Sequence, residues 1–542
     1  MSSESTYAVW GWGRSPADEP SPTDLAALAP LAAGLLGTEI AEPVGPRPLP
    51  DLPTDRVGPR LPSALAAIRS TSAVDRARHG VGRSYRDVVR VIAGRVDHVP
   101  DVVLRPTDES EVTAVLEWCA GHDVAVVPYG GGTSVVGGVE PDVGDAWSGI
   151  VSLDLEHISG IAEVDSVSRA ARVRGGTPGP ALEDELRPHG LTARFYPQSF
   201  ERSTVGGWVV TRAAGHFSAG PTHIDDLVES VRAITPAGPW ESRRLPGSGA
   251  GPSPDRMLLG SEGTLGIVTE AWLRVQPRPT RRWSATFAAA AFSEGLDAVR
   301  AVTQSGLRPA TCRLIDAGEA TVTGTLATGE APLVVGLESW AAPVDTDAAT
   351  LTALCRDHGL RMIDETLTDS SVAVAGGDKT DRKSGAGETW RSSFLRAPYL
   401  REQLVLLGLV VETFETATTW DRLPGLVAHV TERTSAALRE ICGGGTVTCR
   451  LTHVYPDGAA PYFTVIAPGR RGSELAQWDE VKAAASEAIL AAGGTITHHH
   501  AVGRDHRPWY DAQRPPLFAA ALRGAKQAVD PNGILNPGVL LD

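Results

Sequence analysis

A glycine-rich loop that directly follows a short apolar strand constrains the fold of this chain more than any other feature. "VAVVP" at 124–128 is typical of a buried strand, and it runs into "YGGGTSVVGG" at 129–138. Glycines remove side chains where a backbone must approach another group closely, and Thr133 and Ser134 add hydroxyl donors. On its own the loop fits a pyrophosphate cradle and a tight hairpin turn about equally. It is not a Rossmann fingerprint, because Val135 replaces the third glycine, and it lacks the lysine of a P-loop.

Two further loops of similar composition favour ligand binding over a simple turn. "SFERSTVGGWVV" (199–210) opens an apparent helix, and "GSEGTLGIVTE" (260–270) leads into a strand-like run. Backbone N–H groups from three such loops can face the phosphates and ring edges of a dinucleotide. The sequence therefore predicts a large nucleotide cofactor.

Strand and helix patterns alternate around these loops. "PDVVLRP" (100–106) is a predicted strand, and the helix after it has Thr107 or Asp108 as its N-cap. The apolar face of that helix comprises Val112, Val115, Leu116 and Cys119. From 279 onward helical and strand-like segments are mixed. "YLREQLVLLGLVVETF" (399–414) is interpreted as a buried helix, with the wall of an apolar slot as the other interpretation.

The composition excludes several classes of protein. Apolar residues make up 42% and charged residues 21%, as in folded globular proteins, and the net charge of -15 argues against a nucleic-acid-binding surface. The five cysteines are scattered without a C-x-x-C pair, so a reducing cytoplasm is the expected location. No secretory signal is recognisable, and the longest apolar run, "LVLLGLVV" (404–411), is shorter than the roughly 20 residues of a membrane span. Peripheral contact with a membrane remains open.

Together with "DPNGILNPG" (530–538), the three loops resemble the FAD-binding domain of the vanillyl-alcohol oxidase and p-cresol methylhydroxylase superfamily. The resemblance implies an α+β fold with a two-subdomain FAD-binding domain, an α+β substrate (cap) domain and an N-terminal helical extension. Several members attach the flavin through a histidine in or near the first loop. That loop has no histidine here, so FAD is predicted to bind non-covalently. The residues implied to line the cofactor are Pro128, Tyr129, Gly130, Gly131, Gly132, Thr133, Ser134, Gln198, Ser199, Ser203, Thr204, Gly207, Thr211, Arg212, Ala213, Ala214, Glu262, Gly263, Thr264, Leu265, Gly266, Ile267 and Val268.

On this basis the chain is predicted to have four parts. Residues 1–95 form the helical and proline-rich extension, and 96–278 form the FAD-binding domain. Residues 279–496 form the substrate domain, and 497–542 form a C-terminal segment that returns to the FAD site.

A second resemblance is narrower and extends along most of the chain. The alkyldihydroxyacetonephosphate synthases are similar in the order and spacing of "WGWG" (10–13), "RLID" (313–316), "TCRLTHVYPDGAAPYF" (448–463) and "THHHAVG" (497–503). That family implies an ether-lipid transferase, in which a fatty alcohol replaces the acyl chain of acyl-dihydroxyacetone phosphate through an adduct on flavin N5. The implied partners are a phosphorylated ketone and a long-chain alcohol, with homodimer formation left open.

The resemblance assigns proton transfer to a tyrosine and a histidine run. Tyr462 falls where the family has its catalytic tyrosine, and a nearby guanidinium could lower the pKa of its phenol enough to make it a useful base. His498, His499 and His500 would bond the substrate, the flavin or Tyr462, since imidazole donates and accepts protons near neutral pH. From the residues alone, a core tyrosine in a strand would be the simpler interpretation of Tyr462.

The resemblance also assigns the substrate phosphate to two arginines. Arg313, counted with the catalytic group, and Arg450, a substrate-binding residue, would bind it because a guanidinium matches phosphate oxygens. The alternative for each is an interdomain salt bridge.

A flavin-dependent oxidase or dehydrogenase of a 2-hydroxy acid or another small alcohol is the alternative function. Those relatives carry a G-H-x-G-D-G-N motif with a second histidine behind it, which His453 and Asp457 echo without the asparagine or that histidine. No cysteine or carboxylate cluster beside the histidine run completes a zinc set, so no metal is predicted. On an extended strand, His498 and His500 would share one face and His499 would turn away.

Overall fold

The computed structural model describes residues 9–12, 20–70, 72–217, 223–326, 328–369 and 397–541, and the last glycine of "WGWG" lies outside these ranges. Short helices and strands alternate along the chain. The helices are Pro22–Leu36, Ser63–Ala66, Ala73–Arg78, Tyr85–Ile92, Glu109–Ala120, Gly179–Leu186, Val205–Thr211, Ile224–Leu227, Pro254–Leu258, Phe292–Gln304, Ala317–Val322, Asp345–Asp357, Leu423–Ile441, Glu474–Ala491, Arg507–Gln513 and Pro516–Val529, with 3₁₀ turns at Gly58–Arg60 and Arg187–His189. Within the described ranges, no helix is long and apolar enough to cross a membrane.

The first sheet carries the first glycine loop. Its strands are β1 (Arg69–Ser70), β2 (Val102–Leu104), β3 (Val124–Tyr129) and β4 (Gly149–Asp154), in the order β1-β2-β4-β3. β2, β4 and β3 run parallel, and Glu109–Ala120 connects β2 to β3. This predicted helix is confirmed, because Asp108 caps it and its four apolar positions are buried. The glycine loop leaves β3 at the carboxyl edge of the sheet, where parallel strands commonly bind ligands.

The second sheet carries the other two loops. Its region contains β5 (Ile161–Asp165), β6 (Ala170–Arg174), β7 (Leu191–Thr192), β8 (Val228–Thr235), β9 (Gly238–Glu241), β10 (Ile267–Arg274) and β11 (Gln276–Pro277). The order is β5-β6-β10-β8-β9, and β7 pairs with β11. The loops of both sheets meet, since Gly130 packs on Thr204 and Gly263 packs on Pro128. The expected α+β fold with a two-part cofactor domain is confirmed.

Two antiparallel sheets form the region after 279. One comprises β12 (Arg281–Ala289), β13 (Thr311–Leu314), β14 (Ala331–Ser339) and β15 (Arg361–Asp369), in the order β13-β14-β12-β15. The other comprises β16 (Leu409–Glu415), β17 (Thr418–Thr419), β18 (Thr446–Val454) and β19 (Gly458–Pro468), and β19 pairs with the other three. In this last sheet Tyr462 stands opposite Glu415 on one side and opposite Arg450 on the other. Directly opposed residues project from the same face, so the three side chains form a row.

The interpretation of 399–414 as one buried helix is wrong. Residues 397–406 are helical, but the chain turns at 407–408, where the φ of +78° at Gly408 suits glycine, and continues as β16. The β-branched Val410 and Val411 pair along β19, which outweighs the helical periodicity of the preceding leucines. The buried leucines and valines of this stretch belong to a core shared with the helices Tyr85–Ile92 and Glu474–Ala491.

The C-terminal segment runs beside the first sheet. Val126 donates its backbone N–H to the Ile534 carbonyl (2.8 Å), and Asn536 donates to the Val126 carbonyl (2.8 Å). This pairing brings residues 534–536 next to the first glycine loop. The four domain boundaries given above stay predictions.

Candidate active site

A cavity of about 1540 Å³, its open mouth included, lies where the three glycine loops meet. Most of the residues predicted to line the cofactor surround it. They are Pro128, Tyr129, Gly130, Gly131, Gly132, Thr133, Ser134, Gln198, Ser199, Ser203, Thr204, Gly207, Thr211, Ala213, Ala214, Glu262, Gly263, Gly266, Ile267 and Val268.

Three residues predicted to line the cofactor lie outside the cavity wall. Arg212 turns to Asp225, with 2.6 Å between Nη2 and Oδ2. Thr264 donates its hydroxyl to the Ser261 carbonyl (2.7 Å), and Leu265 is fully buried in the core of the second sheet. Thr264 and Leu265 support the third loop from the side away from the cavity. Sequence spacing does not distinguish such a supporting residue from one that contacts the cofactor.

The first loop fits an anionic group such as a pyrophosphate. Among the described residues, no backbone N–H of 130–134 donates to a protein acceptor. A Cβ on Gly131 would overlap the carbonyl oxygen of Arg202, and one on Gly130 would overlap the hydroxyl of Thr204. The glycines therefore let two loops pack closely while their N–H groups stay available, which is the arrangement that binds phosphate oxygens.

The wall opposite the loops comes from the third and fourth sheets and the histidine segment. Arg313 lies on β13, Tyr462 lies on β19, and His499 and His500 follow the helix Glu474–Ala491; all four line the cavity. Thus four of the residues predicted to act in catalysis face the same space as the cofactor loops. His498 and Arg450 do not line it.

Tyr462 is held in the row of side chains across the fourth sheet. The guanidinium carbon of Arg450 lies 3.9 Å from the centroid of its ring. Arg450 favours the phenolate, but burial has the larger effect and raises the pKa of Tyr462. The expected guanidinium is therefore present, whereas the expected net lowering of the pKa is absent, because the sequence did not reveal how deeply the phenol is buried.

The prediction that the histidine run forms an extended strand is wrong. Residues 498–500 form a bend, and all three of their backbone N–H groups point to the carboxylate of Glu415. The bend does not alternate the rings, because His498 and His499 approach each other through Nδ1 at 3.0 Å. His499 lines the cavity with His500, whereas His498 bonds the Tyr455 hydroxyl through Nε2 at 2.7 Å.

The three imidazoles are mostly buried, and their lowered pKa values keep them uncharged near neutral pH. Burial lowers the pKa of His498 to about 4, and it lowers the pKa of His499 and His500 as well. The charge of Glu415 opposes this effect in each ring. Neutral imidazoles can accept a proton, so the cluster can act as a base.

The two arginines have different surroundings. Arg313 lines the cavity and donates to the His216 carbonyl, and burial together with the charge of Arg450 lowers its pKa to about 9, so it stays charged at neutral pH. Arg450 forms a buried ion pair with Glu319. Arg313 is therefore the better placed of the two to meet a substrate anion, and Arg450 is placed to support Tyr462.

The histidine segment is also tied to the third loop. Glu262 accepts the backbone N–H groups of Val502 (2.9 Å) and Gly503 (2.8 Å). Burial raises the pKa of this carboxyl to about 7. Glu262 thus joins the cofactor loops to the proposed catalytic wall.

His453, on β18, lies close enough to the histidine run to form a possible metal site with it. One ring nitrogen from each of His453, His498 and His499 lies within 4.8 Å of the others, a spacing at which three imidazoles can share one ion. The sequence argument against a metal considered only residues near the run, so it missed this third partner.

Two family models match the chain. One, described as the FAD binding domain, matches residues 100–242, and the other, described as FAD linked oxidases, C-terminal domain, matches residues 278–540. The chain is a flavoenzyme of the vanillyl-alcohol oxidase and p-cresol methylhydroxylase type. FAD is its cofactor, and the cavity described above has the loops to bind it.

Known proteins similar to this flavoenzyme include alkyldihydroxyacetonephosphate synthases. That of Dictyostelium discoideum is 28% identical over 86% of this chain and 77% of its own length, and that of Caenorhabditis elegans is 29% identical over 87% and 81%. A glycolate oxidase subunit of Bacillus subtilis is 26% identical over 81% of this chain and 88% of its own length.

Solved structures show the same fold. An alkyldihydroxyacetonephosphate synthase superposes with a TM-score of 0.78 at 23% identity, covering 98% of this chain and 97% of its own. A p-cresol methylhydroxylase superposes with a TM-score of 0.61 at 15% identity, covering 87% and 93%.

The flavin of this flavoenzyme is predicted to be released by acid. The first loop has no histidine to attach it, and the histidines that line the cavity are His453, His499 and His500. Precipitating the yellow holoenzyme with trichloroacetic acid should leave the colour in the supernatant, which absorbance at the flavin maximum measures. Colour that stays with the pellet contradicts non-covalent binding.

Several residues of the flavoenzyme's site escaped prediction. Trp12, Thr452, His453 and Asn536 line the cavity. Glu415 binds the histidine segment from behind. Trp12, Thr452, His453 and Asn536 lie in motifs that the sequence analysis had singled out, but no local pattern marks which member of a motif faces a cavity.

Proposed function

We propose that this flavoenzyme is an alkyldihydroxyacetonephosphate synthase-like transferase, which replaces the acyl chain of an acyl-dihydroxyacetone phosphate with a fatty alcohol. The observation that supports it best is the shared cavity: Arg313, Tyr462, His499 and His500 face the glycine loops. The reaction needs a phosphate-binding group, a proton acceptor and a cofactor cradle in one place. The similarity to synthases along most of the chain agrees with this assignment.

The charge of each residue determines the role that we assign to it. FAD, when bound, supplies an electron-accepting ring beside the substrate carbon. Arg313 would bind the phosphate and so orient the ketone. His499 or His500 would take the proton from the carbon next to the ketone, because burial keeps these rings neutral. Tyr462, whose phenol stays protonated, would donate a hydrogen bond to the departing carboxylate. It would also pass protons between that carboxylate and the imidazoles.

The long chains need an apolar surface. Trp12, Val139, Leu155, Val210 and Pro398 line the cavity and would provide it. Of the described residues 397–414, Pro398 alone lines the cavity. The leucines and valines of that stretch belong to the hydrophobic core and do not line the slot.

The proposal is tested by incubating the purified holoenzyme with an acyl-dihydroxyacetone phosphate and a long-chain alcohol. An ether product with no net reduction of the flavin is expected. The second candidate, oxidation of a 2-hydroxy acid, has the support of the similarity to a glycolate oxidase subunit. Dye reduction by a 2-hydroxy acid, with no ether formed, would refute the transferase.

Membrane contact and assembly are extensions of the proposal. Both substrates carry long apolar chains that partition into membranes, so we propose peripheral contact with a membrane surface in the cytoplasm. Leu31 and Leu35 are exposed on the helix Pro22–Leu36 and would offer an apolar surface for it. Homodimer formation stays a prediction.

A further inference from the structure

Glu415 is the anchor of the histidine segment. Its Oε1 accepts the hydroxyl of Thr497 (2.7 Å) and the backbone N–H groups of His499 (3.0 Å) and His500 (2.9 Å). Its Oε2 accepts the backbone N–H of His498. One carboxylate thus bonds four consecutive residues, and a chain that converges on one anion in this way has to bend.

The bonds to Glu415 are strong enough to fix the backbone conformation of residues 497–500. Its carboxylate is fully buried and does not line the cavity. These donors and the neighbouring imidazoles hold the pKa of Glu415 well below its ordinary value, even though burial acts in the opposite direction. A buried anion with four donors is costly to displace, because each donor would lose its partner.

Glu415 also fixes where the imidazoles stand relative to the phenol. Its strand position lies directly opposite Tyr462, on the same face of the fourth sheet. The rings of His499 and His500 consequently lie with centroids 6.1 Å and 5.5 Å from that of Tyr462. The sheet places the phenol, and the carboxylate beside it places the histidine backbone.

We propose that Glu415 is a positioning residue for catalysis, which holds His499 and His500 against Tyr462 without contacting substrate or flavin itself. The proposal rests on the transferase function for its activity measurement only. The structural part of the proposal, that the Glu415 carboxylate orders the three amides of 498–500, applies to any reaction in this cavity.

The same strand supplies a matched control. Glu412 is also a buried carboxylate, but it lies three residues before Glu415 and so projects from the opposite face of the strand. It binds Lys482 (3.0 Å) and the indole N–H of Trp478. Replacing Glu412 therefore removes a buried charge from β16 without removing a bond to the histidine segment.

The test compares Glu415→Gln with Glu412→Gln as holoenzymes. Glutamine keeps the size of the side chain, but its NH2 group cannot accept an N–H. For Glu415→Gln we expect kcat to fall by roughly 100-fold, as displacements of about 1 Å do, with KM within about threefold and FAD content unchanged. At least one of the amides of 498–500 should exchange with deuterium about tenfold faster than in the unsubstituted enzyme, because glutamine keeps only one oxygen acceptor and its NH2 group leaves the amides that face it without one.

The control and the exchange measurement separate the outcomes. Glu412→Gln should lower the unfolding temperature while kcat and the exchange of 498–500 stay within about threefold. Slow exchange in Glu415→Gln, or an equal loss of kcat in Glu412→Gln, overturns the proposal. Where Glu415→Gln does not fold, Glu415→Asp takes its place with the same two readouts, because the shorter carboxylate cannot reach all four donors. An unsubstituted enzyme that forms no ether refutes the transferase, and the exchange rates still decide the role of Glu415.

Discussion

Tyr462→Phe should lower kcat by about 100- to 10,000-fold, the usual contribution of a positioned acid or base, and leave FAD bound. The substitution removes the hydroxyl and keeps the ring that packs under Arg450 and beside His500. It therefore tests proton transfer with little change in packing. Steady-state ether formation gives kcat, and the flavin-to-protein absorbance ratio gives the FAD content.

Tyr85→Phe is the control for this substitution. Tyr85 is as buried as Tyr462, and its hydroxyl donates to the Leu409 carbonyl (3.0 Å) at the start of the same sheet, outside the cavity wall. Loss of that bond should cost about 1 kcal/mol of stability and leave kcat unchanged. A Tyr462→Phe enzyme with the kcat of the Tyr85→Phe enzyme would assign the proton transfer to the histidines alone.

The cofactor half of the site could be predicted because its chemistry is local. A short run such as 124–134 contains both the strand that ends and the glycines that let the backbone pack and donate. The same locality explains the small errors. Arg212 and Leu265 stand within the predicted runs but face Asp225 and the core, because a loop alternates its contacts in ways that no periodicity describes.

The catalytic half could be predicted only as a set of residues. Its geometry depends on partners far away in the sequence: Glu415 bends the histidine run from 83 residues before His498, and His453 approaches it from β18. Without these partners, an extended strand was the reasonable expectation for 498–500. Burial is equally non-local, and it reverses the expected direction of the pKa of Tyr462.

The choice between the two arginines has the sharpest consequence for substrate recognition. Arg313→Ala should lower kcat/KM for the phosphorylated ketone by roughly 30-fold or more, since loss of a buried charge from an ion pair costs about 2–5 kcal/mol. Against a substrate analogue without the phosphate, the same variant should match the unsubstituted enzyme within about threefold. The loss would then belong to the phosphate and not to a damaged cavity.

Arg450 makes the comparison decisive. Its guanidinium is committed to Glu319 and to the ring of Tyr462, so Arg450→Gln should lower kcat for both substrates alike and leave the preference for phosphate intact. The ratio of kcat/KM values for the two substrates, measured in each variant, separates the roles. If the ratio collapses in Arg450→Gln and survives in Arg313→Ala, Arg450 binds the phosphate, and its pair with Glu319 must open when the substrate enters.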